Sequence, residues 1–125
     1  MNQRSKHPLI PLFFIGALLS VSGALHAHAL VTESSLAHDP VKPHQETTVA
    51  LFFNSNVELA LSRVFLVSAG DIYHPAQIER GRKLGEVRIH LPPLDPGAYA
   101  LKYKVFAADG HFTESVIRFN VSEPR

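Results

Sequence analysis

Ala98-Tyr99-Ala100-Leu101-Lys102-Tyr103-Lys104-Val105-Phe106 decides how the chain is read. Tyr99, Leu101, Tyr103 and Val105 fall on one side of an extended backbone, Lys102 and Lys104 on the other. That is a period of two, the mark of a strand with one buried face. Asp95-Pro96-Gly97 supplies the turn before it.

The same period recurs outward from this strand. Val49, Leu51 and Phe53 alternate and stop at Asn54-Ser55-Asn56. Val64 to Val67 form a second apolar run, closed by Ser68-Ala69-Gly70-Asp71. Val87, Ile89 and Leu91 alternate with Arg88 and His90 until Pro92-Pro93 ends the run. Ile117, Phe119 and Val121 alternate with Arg118 and Asn120. Glu58 to Arg63 suits a helical turn, and Ala29 to Glu46 reads as an extended lead-in broken by Pro40 and Pro43. Several short strands with turn signals between them predict an all-β domain, a β-sandwich or small barrel. The predicted core is Val49, Leu51, Phe53, Val64, Leu66, Val87, Ile89, Leu91, Tyr99, Leu101, Tyr103, Val105, Ile117, Phe119 and Val121.

The first residues have a different logic. Arg4 and Lys6 precede an apolar run from Leu9 to Leu19, and Ser20, Ser22, Gly23 and Ala24 follow. This is the layout of a cleavable secretory signal. The run is too short for a membrane span, which needs about 20 apolar residues, and Pro8 and Pro11 also argue against one. Residue size favours a cut after Ala24, with Ser22 at −3; a cut after Ala27 would place the bulkier Leu25 there. The latter leaves residues 28 to 125 as one small domain. Loss of Arg4 and Lys6 then leaves ten basic against eleven acidic residues, a net charge of −1 with histidines neutral. Nothing in such a balance suggests a nucleic-acid footprint. The chain has no cysteine, and its one methionine is Met1, so the processed domain offers no sulfur ligand.

The candidate chemistry lies in Asp109-Gly110-His111 and in His28. Read as locally extended, residues two apart share a side, so Asp109 and His111 can converge on one ligand. Asp-Gly is also an ordinary hairpin turn. His28 becomes distinctive as the first residue: its α-amine, with a reference pKa of about 7.7–8.0, and its imidazole would then chelate one metal together. With Asp109 and His111 they make the nitrogen/oxygen set that suits Cu(II). Protons compete for each of these donors, so binding is expected to weaken in acid. His74 and His90 read as exposed loop and strand residues, His38 and His44 as solvated, and Arg80, Arg82 and Lys83 as a solvated turn.

His28-Ala29-Leu30-Val31-Thr32-Glu33-Ser34-Ser35-Leu36-Ala37 resembles the start of the CopC copper-resistance family. Leu94 to Tyr99, Tyr103-Lys104-Val105, Ala108 to His111 and Phe119-Asn120-Val121 are similar to its C-terminal half. The resemblance covers essentially residues 28 to 125. It implies a periplasmic Greek-key β-sandwich, immunoglobulin-like or cupredoxin-like, that binds one Cu(II) through His28, Asp109 and His111. It also implies cleavage after Ala27, a role in copper homeostasis rather than catalysis, and an inner-membrane CopD-type copper transporter as partner. A monomer is expected. Leu36, Phe112 and Ser115 stand where the family often has proline, proline and glycine. Some members carry a Met-rich Cu(I) site after the strand holding Val64 to Val67, where this chain has only His74. Soft thioethers select Cu(I), so a Cu(II)-only site is expected. Three readings compete: a small copper oxidative enzyme with an N-terminal histidine, a metal-free interaction module, and a zinc site built from the same residues.

Overall fold

The structure, a computed structural model, describes residues 29–124. The expected signal segment and His28 lie outside these residues. Eight strands form two four-stranded antiparallel sheets. The strands are β1 (Val31–Ser34), β2 (Thr47–Phe53), β3 (Arg63–Ser68), β4 (Ile72–Pro75), β5 (Gln77–Arg80), β6 (Glu86–Leu91), β7 (Gly97–Phe106) and β8 (Phe112–Val121). One sheet runs β1-β2-β6-β5 and the other β4-β3-β7-β8. The chain passes between sheets after β2, β4 and β6. The fold is therefore a two-layered sandwich, as the alternation predicts, and not a closed barrel.

Register follows from which residues must be buried. Val49 sits opposite Ile89 and Leu51 opposite Val87 in one sheet; Val64 sits opposite Tyr103 and Leu66 opposite Leu101 in the other. All of these are buried and belong to a single core cluster. Slipping either pair by one residue would turn the apolar set outward. Phe53 and Tyr103 meet edge to face across the layers, with centroids 5.5 Å apart. Thirteen of the fifteen predicted core residues are buried; Tyr99 and Ile117 are half-buried. Tyr99 lies at the open end of β7, where its ring stacks on Phe119 and its hydroxyl donates to the Asp95 carbonyl at 2.8 Å. Ile117 is on β8, which among the described residues has no strand on one side.

The lead-in is less extended than expected. Val31–Ser34 pairs with β2 around an irregularity between Val31 and Glu33, and Ser35–Ala37 forms a 3-10 turn capped by the Ser34 hydroxyl. Leu36, at one of the positions where the family often has proline, packs against the core. The helical turn expected between Glu58 and Arg63 is a 3-10 turn at Leu59–Leu61. Strands β4 and β5 were not visible in the pattern, because almost every residue in them is exposed. Arg80 also departs from the solvated-turn reading: it ends β5, and its guanidinium donates to the Val57 carbonyl at 3.2 Å.

Candidate metal site

The turn between β7 and β8 carries Asp109 and His111, and it is not extended. The ladder of the two strands closes at Phe106 and Phe112, whose rings meet at 4.8 Å. Beyond them, the Ala107 amide donates to the His111 carbonyl and the Gly110 amide to the Ala107 carbonyl, each at 2.9 Å. Gly110 has φ +89°, a left-handed conformation that glycine adopts without a Cβ penalty. The turn itself thus folds the two side chains together, where the sequence reading relied on a shared side of a strand. The His111 amide donates to Asp109 Oδ1 at 3.0 Å, and His111 Nδ1 lies 3.3 Å from Asp109 Oδ2. The Asp109 side chain is about a quarter exposed and that of His111 about half. A carboxylate and an imidazole in contact at a rim, partly open to solvent, can give oxygen and nitrogen ligands to an arriving cation.

What holds this turn in place is the segment after β2. The Asn56 carbonyl accepts from the Ala108 amide at 3.0 Å, Val57 forms an isolated bridge with Ala107, and the Glu58 amide donates to the Phe106 carbonyl at 2.9 Å. Ser62, almost wholly buried, accepts from the Phe106 amide at 3.0 Å and donates to the Glu58 carbonyl at 2.8 Å. Val57 and Ala107 are buried with these bonds. The segment from Asn54 to Ser62 therefore zips along the end of β7 up to the turn.

The same segment grips the start of the described chain. Asn54 Oδ1 accepts from the Leu30 amide at 2.9 Å, and the Asn54 amide donates to the Leu30 carbonyl at 3.0 Å. Ala29 is fully buried. One short loop thus fixes both the entry of the chain and the Asp109–His111 turn. Gly85 supports that loop from below. Its carbonyl accepts from the Phe53 amide at 2.8 Å, its φ is +81°, and a Cβ added there would run into the Phe53 carbonyl. Asn54, Asn56, Ser62 and Gly85 are the positioning residues that sequence reasoning missed. The Asn54-Ser55-Asn56 triplet was legible only as a strand terminator.

Of the three predicted ligands, the structure brings Asp109 and His111 together, and His28 lies outside the described residues. Among the described residues there is no group of three or more His, Cys, Asp or Glu side chains able to hold a metal ion. Three other histidines face separate sets of partners. His90 lies 3.1 Å from Glu79 and 3.3 Å from the Thr48 hydroxyl, and His74 lies 3.2 Å from the Ser68 hydroxyl. His44, expected to be solvated, has φ +63° and faces Asp95 at 3.6 Å with one ring nitrogen and Glu123 at 3.7 Å with the other. Its two nitrogens point to opposite carboxylates, so these three do not converge on a point.

The structure is thus a small two-layered antiparallel sandwich that presents a contacting carboxylate and imidazole on one terminal hairpin. The CopC domain model matches residues 31–122, and the chain belongs to that family. Among solved structures, it is similar to CopC from Methylosinus trichosporium OB3b, with 24% identity, coverage of 78% of this chain and 97% of that one, and a TM-score of 0.64. It is also similar to PcoC, a methionine-rich copper resistance protein from Escherichia coli, with 21% identity, coverage of 77% and 100%, and a TM-score of 0.60. At these identities the likeness speaks for the fold. No curated protein matches the chain.

Proposed function

We propose that this is a periplasmic Cu(II)-binding protein of copper resistance, which buffers or carries the ion rather than transforming a substrate. Copper is its cargo. In this reading residues 1–27 are a cleaved signal, and His28 supplies its amine and imidazole alongside Asp109 and His111. The observation that carries the reading is the shared support of Ala29–Leu30 and the Asp109–His111 turn. Ala29 is buried, Leu30 is bonded to Asn54, and the same loop holds Ala108 through the Asn56 carbonyl. A rigid scaffold that presets ligands in this way favours the ion with the highest affinity for nitrogen and oxygen donors, and Cu(II) heads that series.

The absence of thioethers gives the reading its oxidation state. PcoC is methionine-rich; here the one methionine is Met1, which the proposed cleavage removes. Among the described residues no helix is long and apolar enough to cross a membrane. A CopD-type inner-membrane transporter is the proposed recipient.

The test is a Cu(II) titration of protein starting at His28, beside a form with one added N-terminal alanine, both followed by electron paramagnetic resonance. A one-to-one tetragonal signal in the first, lost or remodelled in the second, is expected. Identical signals would remove His28 from the site. Competition with Zn(II) separates copper selectivity from a general affinity for divalent ions.

A further inference from the structure

Three of the four sheet edges are blunted and one is not. β1 is four residues long and irregular, β4 is four residues long and ends in Pro75, and β5 is four residues long. β8 runs for ten residues, Phe112–Val121, paired with β7 at every position without a bulge. Among the described residues no strand lies on its other side. It contains no proline or lysine, two of the means by which proteins spoil an open edge, and its edge charges, Glu114 and Arg118, are of opposite sign.

Its hydrogen-bonding groups can be assigned by parity. The Ala107 amide bonds the His111 carbonyl, and antiparallel pairs alternate between bonded and non-bonded. The odd-numbered residues of β8 therefore bond to β7. The even-numbered ones, from Phe112 to Asn120, turn their amides and carbonyls to the free edge. The side chains of these same residues lie on the outer face, where Phe112 is 49% and Val116 is 43% exposed. Glu114 and Arg118 stand two residues either side of Val116 and are exposed.

We infer that β8 is a homodimer interface, pairing antiparallel with β8 of a second copy about a two-fold axis at Val116. That register places Val116 against Val116, Glu114 against Arg118 and Phe112 against Asn120. Each even residue meets a bonding partner, and opposite charges meet twice. Shifting the axis by two residues, to Glu114 or Arg118, sets like charges face to face, which is unfavourable across strands. Two sheets would merge into one of eight strands. The two Asp109–His111 turns would lie at opposite ends of the paired β8 strands. At about 3.3 Å per residue the two His111 positions, each five residues from the axis, would be roughly 33 Å apart along them, too far to share one ion. The dimer goes beyond the monomer expected from sequence and does not depend on the copper reading.

Sedimentation velocity on the protein as the cell processes it, from about 10 µM to about 1 mM, tests this. Association to a dimer is expected. Val116→Pro removes an amide that faces the edge and not β7, so it should abolish dimerisation while leaving the near-UV circular dichroism unchanged. Arg118→Glu should weaken association by about tenfold or more, and adding Glu114→Arg to it should restore the dimer. A single-chain mass at every concentration overturns the inference. So does association that Val116→Pro leaves intact, or a charge swap that fails to rescue a folded Arg118→Glu protein.

Discussion

The two ends of the sandwich are both furnished with histidine, yet at only one, among the described residues, do a carboxylate and an imidazole share a single braced turn. At the β7–β8 end, Asp109 and His111 share one turn and touch each other. That turn hangs from backbone bonds to Asn56 and is reinforced through Val57, Glu58 and Ser62. At the other end, His90 is held by Glu79 and Thr48, and His44 is stretched between Asp95 and Glu123. His74 and His90 do border one cleft of about 300 Å³, with Asp95, Leu94 and Tyr99 also in its wall. Its histidines nonetheless spend their polar atoms on separate neighbours. The difference teaches that ligand-type side chains converge where the backbone beneath them is braced, not where imidazoles are most numerous.

The sharpest break of that contrast is to remove the convergent pair. Asp109→Ala combined with His111→Ala should lower Cu(II) affinity by more than about 100-fold, beyond the range seen on losing only a residue that orients a ligand. Thermal unfolding of the metal-free protein should barely move, because both side chains sit at a solvent-facing rim. Competition titration against a chelator reads the first effect and calorimetry the second.

Gly85→Ala attacks the support instead of the ligands. The new Cβ meets the Phe53 carbonyl at a left-handed backbone position, so a loss of roughly 1–3 kcal/mol in stability is expected. Copper affinity should fall with it, since the loop from Asn54 to Ser62 rests there. Chemical denaturation and the same competition titration read the two effects. Unchanged affinity in a destabilised protein would show that the turn does not depend on this loop.

Asn54→Ala is a gentler version. It removes the side-chain acceptor of the Leu30 amide and should cost about 0.5–1.5 kcal/mol. It should broaden the copper signal in electron paramagnetic resonance by loosening the entry of the chain. The smallest effect belongs to the far end: His74→Ala with His90→Ala should leave Cu(II) affinity within about twofold, since residues remote from one another act independently. A large loss in that double variant would erase the distinction between the ends.

The strands that make the core were legible because their alternation leaves little choice. A one-residue slip of β2 would turn Val49, Leu51 and Phe53 out of the core together. The edge strands were opaque for the converse reason. Ile72–Pro75 and Gln77–Arg80 are pinned by backbone pairing to β3 and β6 rather than by a buried face. Loop residues such as Val41, Val57, Leu94 and Ala107 are buried without any period to announce them. At the site, Asp109-Gly110-His111 was readable from its residue types, though for an extended geometry that Gly110 replaces with a turn. The link from Asn54 to Leu30 spans 24 residues, and no local pattern encodes such a partner.

The burial of Ala29 has a consequence for timing. That residue is sealed in the core and Leu30 is tied to Asn54. On the proposed processing, an unprocessed precursor carries a peptide bond where the ligand amine should be. Such a precursor would be a poor chelator however well it folded. Copper capture would then begin only once the leader is cut, and the export machinery would act as the switch that keeps the ion-binding form out of the compartment where it is made.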